Sequence, residues 1–284
     1  MKIYIASSKK NIVEEKVLIT SLVESNNSKN DIHILAADEN KVYNFDRSKP
    51  LSKIFNEDIN FKQSTIFSLA RFFVPMLSNN DDTVIIDPDT LVFVNLKSFF
   101  KKIKKGIYMR KAYGFNLYAS SVIFFTKDFF DEKKLFNYKK AVLNENISWA
   151  DKLYFNSNFC YNSNLKITEL SKTWNQFDFY FPNTKIIHYT NLYNQPWVFD
   201  GHPFENLWIK YFRMSIDKEI LRTKDVFNQQ KEATTFDNKI RACRNDLHLL
   251  LDNNYKKKKK NLYKFFINEI KFHSIKKYLY NIIL

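Results

Sequence analysis

A short apolar run that ends in two aspartates constrains this chain more than any other feature. Residues 83–86 predict a buried strand, and Asp87, Pro88 and Asp89 follow it directly. Alternate residues of an extended segment point the same way, so both carboxylates lie on one side. Open α/β sheets bind ligands at the carboxyl ends of their strands. Two carboxylates there supply half of a site for a hard divalent cation, which could hold a diphosphate; a strand end with solvated acids is the alternative.

The flanking segments predict an α/β fold. Residues 2–6 and 31–37 predict strands, and residues 13–24 between them have the apolar spacing of a helix. This strand–helix–strand unit implies a parallel sheet with a right-handed crossover. Other predicted elements are helices over 67–77 (with Arg71), 96–105, 129–144 and 149–159 (with Asp151), and strands over 106–110 and 120–126.

A second apolar strand, 185–187, ends at His188 in the same way that the first ends at Asp87. A histidine and two carboxylates form an acceptable ligand set for Mn²⁺ or Mg²⁺. Taken alone, His188 fits a packed histidine better, but the two strand-end positions together favour a metal site. The chain has three glycines and no glycine-rich phosphate loop. A bound nucleotide would therefore depend on a metal and on side chains.

The positive charge is concentrated at the C-terminus. Residues 255–284 contain nine lysines and one acid, Glu269, a net charge of +8 out of +15 for the chain. Lysines interleaved with aromatic residues suit an anionic membrane surface, and a helix docked on the main domain is an equally open alternative. Nucleic acid is a less favoured partner because the basic excess lies at one end and no nucleic-acid motif accompanies it.

The expected location is cytoplasmic, or peripheral on the inner face of the membrane. The sequence has two cysteines, Cys160 and Cys243, which fit a reducing compartment better than a disulfide framework. The first residues do not form a signal peptide, and no apolar stretch is long enough to span a bilayer.

The motifs together resemble glycosyltransferase family 8, the glycogenin and lipopolysaccharide-galactosyltransferase group with the GT-A fold, and in particular a bacterial branch of it. In that branch a T-x-F-S-x-x-R-F-x-x-P helix precedes the D-x-D strand, and a later motif reads H-Y-T-N-L-Y-x-Q-P-W. Here these are residues 65–75 and 188–197. The similarity covers residues 2–222 and leaves the basic tail out.

The resemblance implies a role for each matching position. Asp87, Asp89 and His188 would bind the divalent metal, and Asp151 would lie beside the transferred sugar and the acceptor. The remaining implied contacts to the donor and the acceptor are Arg71 on the sugar or phosphates, Gln195 and Trp197 over the diphosphate, and Asn175 on the acceptor side. Ser8 is a further candidate for donor binding, although it stands where many members have an Asp-rich loop for the base.

The predicted protein is thus a GT-A domain over 1–222 with a Rossmann-like, mostly parallel mixed sheet, followed by a basic helical extension over 223–284. The predicted activity is metal-dependent retaining transfer of a hexose, from UDP-glucose or UDP-galactose, to a growing lipopolysaccharide or capsule. Two alternatives stay open: a nucleotidyltransferase on a similar sheet, and a non-catalytic protein that binds sugar nucleotides.

Overall fold

The computed structural model describes residues 1–38, 41–43, 66–78, 81–101, 103–112, 117–231, 244 and 247–251. The chain divides into two compact units, Met1–Arg244 and Asn245–Leu284. In the second unit the structure describes a 3₁₀ helix, Leu247–Leu251. The first unit extends beyond residue 222, the predicted end of the catalytic domain. The functional division at that residue stays a prediction.

The described elements of the first unit are strands, α-helices and short 3₁₀ helices. The strands are β1 Lys2–Ser8, β2 Ile32–Asp38, β3 Lys41–Tyr43, β4 Thr83–Ile86, β5 Thr90–Val92, β6 Ile107–Lys111, β7 Tyr118–Phe125, β8 Ile167–Glu169, β9 Gln176–Phe177 and β10 Ile186–His188. The α-helices are α1 Ile12–Glu24, α2 Val74–Leu77, α3 Lys97–Phe100, α4 Glu132–Leu143, α5 Trp149–Leu153, α6 Ser157–Ser163, α7 Glu205–Asp217 and α8 Thr223–Gln229. The 3₁₀ helices are Lys9–Asn11, Lys29–Asp31, Ile66–Phe73 and Lys172–Trp174.

Seven strands form a mixed sheet in the order β3-β2-β1-β4-β7-β6-β8. Strand β1 pairs in parallel with β2 and β4, and β7 runs antiparallel to β4 and β6. A smaller sheet has the order β5-β10-β9. The predicted α/β class is confirmed, and the β1–α1–β2 unit is parallel as expected from its spacing.

Side chains alternate between the two faces of the large sheet, and helices cover both faces of its central strands. On one face Ile3 and Ile5 pack in a cluster with Leu18 and Leu22 of α1. On the other face Tyr4 belongs to a cluster that includes residues of the 3₁₀ helix Ile66–Phe73, α4 and α6. The strands β1 and β4 are therefore fully enclosed, and their carboxyl ends are held in fixed positions.

Three predicted helices differ from the structure. The single helix predicted over 149–159 is wrong, because α5 ends before Phe155, whose φ is +42°, and Asn156 caps a new helix by accepting the Phe159 N–H at 3.0 Å. The helix predicted over 67–77 is a 3₁₀ helix followed by α2. Pro75 lies in the first turn of α2, where its missing N–H costs no hydrogen bond. The helix predicted over 96–105 is confined to α3.

Within the described ranges, no helix combines the length and the apolar character that a membrane crossing requires.

Candidate active site

The carboxyl end of β4 places Asp87 in a buried ion pair. Nη2 of Arg71, on the 3₁₀ helix Ile66–Phe73, donates to both carboxylate oxygens of Asp87, at 3.1 and 2.8 Å. Nη1 of Arg71 donates to Oγ of Ser120, and that hydroxyl donates to the carbonyl of Leu153 at 2.5 Å. Arg71 thus holds the first aspartate of the D-x-D and connects it to β7 and α5. Its predicted contact with a donor stays a prediction.

His188 lies beside the second aspartate. Strand β10 runs antiparallel to β5, which sets His188 opposite Thr90, the residue after Asp89. The backbone N–H of Tyr189 donates to the Asp89 carbonyl at 3.0 Å. Nε2 of His188 lies 3.2 Å from Oδ1 of Asp89. The structure therefore brings the two predicted strand ends together, with an imidazole nitrogen facing a carboxylate.

A buried polar chain supports the other side of the imidazole. Nδ1 of His188 lies 3.0 Å from Oγ of Ser121, and Nδ2 of Asn175 donates to the same Oγ at 3.1 Å. The guanidinium of Arg110 donates to the Asn175 carbonyl and stacks on the Phe177 ring, 3.6 Å from its centroid. The side chain of Asn175 is 0% exposed. It therefore supports His188 from inside, and its predicted acceptor contact stays a prediction.

The electrostatics of this site favour a cation. Burial raises the pKa of Asp87 to about 7, although the neighbouring Arg71 opposes the rise. Burial also raises the pKa of Glu14 to about 7, with a contribution from the charge of Asp89. Burial acts to lower the pKa of His188, but the carboxylates, Asp89 first, outweigh it and the net pKa is raised. Burial is the main cause for Asp87 and Glu14, and the charge of Asp89 adds to the rise of all three pKa values. A divalent cation would offset that added negative charge.

The residues present fit a divalent metal by their chemistry. Oδ1 of Asp89 is buried and faces Nε2 of His188 at 3.2 Å, without a well-formed hydrogen bond between them. Carboxylate oxygens and an imidazole nitrogen are donors that Mn²⁺ and Mg²⁺ accept. In the described part of the chain, however, no three acidic, histidine or cysteine side chains are already arranged as a metal cluster. The Asp87 carboxylate pairs with Arg71 instead.

Gln195 and Trp197 lie on a loop beside the same aspartate. Nε2 of Gln195 donates to the Tyr189 carbonyl at 2.9 Å and lies 3.5 Å from Oδ2 of Asp89. The ring of Trp197 is buried between Tyr189 and Trp208, at centroid distances of 5.9 and 5.4 Å. The indole thus supports the loop from inside, and its predicted contact with a diphosphate stays a prediction.

Ser8, at the end of β1, caps the start of the adjoining helix. Its Oγ donates to Oδ1 of Asn11 at 2.6 Å and accepts the Lys10 N–H at 3.2 Å. Asn11 in turn donates to Oε1 of Glu14 at 3.0 Å. The polar end of β1 therefore continues into the buried acid that interacts with Asp89; the predicted donor contact of Ser8 stays a prediction.

Asp151 lies in the first turn of α5, half-buried. Its two carboxylate oxygens accept hydrogen bonds from the side-chain amides of Asn156 and of Asn158, the latter at 3.2 Å. These bonds span the break between α5 and α6 and fix the carboxylate. The Leu153 carbonyl, two residues on, is bonded to Ser120, so α5 is tied to the Arg71–Asp87 pair. The predicted role of Asp151 in catalysis stays a prediction.

Sequence reasoning missed Ser120, Ser121 and Glu14, which contact or influence the central side chains. The two serines lie within an apolar strand, which was the available signal, because a hydroxyl in a buried strand needs a partner. Glu14 was hidden among the polar positions of an amphipathic helix, and the sequence carried no signal that it is buried.

No protein-family model matches this chain, and no curated protein sequence does so either. Solved structures do match its fold. The apo structure of the bifunctional glycosyltransferase WbbM superposes with a TM-score of 0.52 at 16% identity, over 78% of this chain and 51% of WbbM. The glycosyltransferase GlyE of Streptococcus pneumoniae TIGR4 gives a TM-score of 0.54 at 17% identity, over 83% of this chain and 66% of GlyE.

A third match is the galactosyltransferase LgtC, solved in complex with donor and acceptor sugar analogues. It has a TM-score of 0.50 at 11% identity and covers 81% of this chain and all of LgtC. This chain spans about half the length of WbbM and just under two thirds of GlyE. At these identities the likeness concerns the fold. The chain has the α/β fold of these glycosyltransferases, the GT-A fold.

Proposed function

We propose that this protein is a metal-dependent retaining glycosyltransferase that uses a nucleotide sugar as donor. The observation that carries the proposal is the meeting of two strand ends: β4 with Asp87 and Asp89, and β10 with His188, whose Nε2 lies 3.2 Å from Asp89. The site lies at the carboxyl ends of strands, where α/β sheets bind ligands, in a fold shared with glycosyltransferases.

Asp87, Asp89 and His188 would hold the divalent ion, Mn²⁺ or Mg²⁺. When bound, such an ion supplies Lewis-acid stabilisation of the negative charge that develops on a departing nucleoside diphosphate. Arg71 would have to share Asp87 with the ion, because Nη2 donates to both of its oxygens. An additional positive charge beside Asp87 and Glu14 would counter the burial that now raises the pKa of both groups.

The remaining residues would bind and orient the sugar. Asp151 is a fixed carboxylate, held by two asparagine amides. A carboxylate beside a transferred sugar can act as a nucleophile or stabilise an oxocarbenium ion. Gln195, on the loop next to Asp89, would face the diphosphate, and Ser8 at the end of β1 would face the base. Front-face attack by the acceptor hydroxyl, with its proton taken by the leaving phosphate, would retain the anomeric configuration.

The proposed donor is UDP-glucose or UDP-galactose, and the proposed acceptor is a growing cell-surface glycan such as lipopolysaccharide or capsule. The basic, aromatic segment 255–284 supports a glycolipid acceptor at an anionic membrane surface. The enzyme would then be cytoplasmic, or peripheral on the inner face of the membrane.

The proposal is tested by thermal unfolding with UDP, GDP and CDP, each with Mn²⁺ and with a chelator. A nucleotide at one hundred times its Kd contributes about 2.7 kcal/mol of stability. In a chain of this size that raises Tm by about 5 °C or more. Stabilisation by one nucleotide only with Mn²⁺, together with slow hydrolysis of the matching nucleotide sugar, is the expected result. Asp89→Ala should lose both effects. Normal turnover of Asp89→Ala in chelator would end the metal proposal.

A further inference from the structure

Arg244, beyond the region of the family resemblance, is buried against the loop 195–199. It is 7% exposed. Its backbone N–H donates to the Trp197 carbonyl at 2.7 Å. Its Nη1 donates to the Phe199 carbonyl at 3.1 Å and to the Pro196 carbonyl at 3.4 Å. One residue thus binds three carbonyls of a single loop.

Arg244 is itself anchored at two points. Nη1 lies 2.9 Å from Oε1 of Glu205 at the start of α7, and 3.7 Å from Oδ1 of Asp200. The side-chain amide of Gln230, next to the end of α8, donates to the Arg244 carbonyl at 2.8 Å. Nη1 of this buried guanidinium thus has two loop carbonyls and a carboxylate as acceptors, so its charge is partnered.

The other end of the loop contacts the candidate active site. Gln195 donates to the Tyr189 carbonyl and lies 3.5 Å from Oδ2 of Asp89. The Gln195 carbonyl accepts the N–H groups of Val198 and Phe199, both at 2.9 Å. The loop is therefore a tight turn fixed to Asp89 at its first residue and to Arg244 over the following ones.

We propose that Arg244 is a positioning residue for the sugar-nucleotide site. By holding the carbonyls of the loop 195–199, it sets the place of Gln195 against Asp89. The effect of Arg244 on donor binding rests on the proposed function. Its effect on the position of the loop does not. Arginine suits the role because its planar guanidinium presents several donors in a fixed geometry, which lysine cannot reproduce.

The structural part is tested by hydrogen–deuterium exchange of the full chain, in the variants Arg244→Gln and Arg244→Lys. Losing a hydrogen bond from a charged donor should speed exchange of the Val198 and Phe199 amides by about tenfold or more. The amides of β4 should be unchanged. Lys218→Gln is the matched control, because Lys218 forms an ion pair with Glu24 at the C-terminal end of α7, away from Glu205 at its start. Unchanged exchange in both Arg244 variants would overturn the proposal. If those variants do not fold, Glu205→Gln replaces them, because it keeps Arg244 and weakens one of its anchors. It should give a smaller increase in the exchange rate of the Val198 and Phe199 amides.

The functional part is tested with UDP-glucose and UDP-galactose in the presence of Mn²⁺. Misplacing Gln195 should lower kcat/KM for donor hydrolysis up to about a hundredfold, mostly through KM, with Arg244→Lys intermediate between wild type and Arg244→Gln. An unchanged KM with faster loop exchange would show that the loop does not serve donor binding, and would overturn this part. If the wild-type protein neither binds nor hydrolyses a nucleotide sugar, the proposed function fails, and the exchange experiment still decides the role of Arg244.

Discussion

The Oγ atom of Ser121 lies 3.0 Å from Nδ1 of His188, on the side of the ring away from Asp89. A hydroxyl accepts as well as donates, so Ser121 can accept the Nδ1–H and leave Nε2 with a lone pair for a ligand. Asn175 fixes the hydroxyl in turn. Residues that hold the second ring nitrogen of a metal-binding histidine usually set its orientation and basicity.

Ser121→Ala should weaken Mn²⁺-dependent nucleotide binding by about 10- to 100-fold, because the imidazole loses the group that orients it. The measurement is a calorimetric titration of UDP at fixed Mn²⁺. Ser171→Ala removes an exposed hydroxyl from the Lys172–Trp174 helix region and serves as the control. Equal affinities in both variants would contradict the role of Ser121.

Arg71→Met should destabilise the protein by about 3–5 kcal/mol, because it leaves the buried Asp87 carboxylate without its partner. The double variant Arg71→Met with Asp87→Leu should recover most of that loss, since no uncompensated charge remains. Urea unfolding of wild type, Arg71→Met, Asp87→Leu and the double variant gives the coupling free energy between the two side chains. A double variant as unstable as the single one would show that the ion pair is not the cause.

Glu14→Gln should remove a pH dependence of stability. The folded-state pKa of Glu14 is raised from 4.5 to about 7 by burial. The folded protein therefore binds more protons than the unfolded chain between these values, and the free energy of unfolding falls as pH rises through this window. The fall attributable to Glu14 is at most about 3 kcal/mol. Tm measured from pH 5 to 8 should drop less in Glu14→Gln than in wild type, while Glu169→Gln, at an exposed ion pair with Lys111, should follow wild type.

Asp151→Ala should lower kcat for sugar transfer or donor hydrolysis by about 10²- to 10³-fold if the carboxylate stabilises developing charge. Asn158→Ala removes only one of its amide contacts and should cost much less. Thermal melts check that α5 and α6 remain folded. An Asp151→Ala protein with wild-type kcat would exclude a direct catalytic role.

Replacing the five lysines at 256–260 with glutamine in the full chain should weaken binding to anionic vesicles. Each basic residue near such a surface contributes about 1 kcal/mol. Cosedimentation with phosphatidylserine vesicles, and with phosphatidylcholine vesicles as the neutral control, measures the change. Binding that is equal for both lipids, or unaffected by the substitutions, would count against membrane contact through this segment.

Hydrophobic periodicity and strand-end chemistry predicted much of this protein correctly. The elements α1, β1, β2 and β4 were predicted from the spacing of their apolar residues. That spacing shows which stripe of a helix, or which faces of a strand, are buried, and it can be read from neighbouring residues alone. The break between α5 and α6 was not predictable in this way, since it depends on a positive φ at Phe155 and on a cap by Asn156.

The amino-acid pattern alone identified Asp87, Asp89 and His188 as possible metal ligands at the ends of predicted strands. Their meeting depends on the antiparallel pairing of β5 with β10, two segments distant in the chain. The partners of their polar atoms are likewise non-local: Arg71 for Asp87, Ser121 for His188, and Arg244 for the loop that carries Gln195. Local sequence specifies which groups a strand can deliver, whereas the packing of distant elements decides which buried charge or hydrogen-bonding atom each group must satisfy.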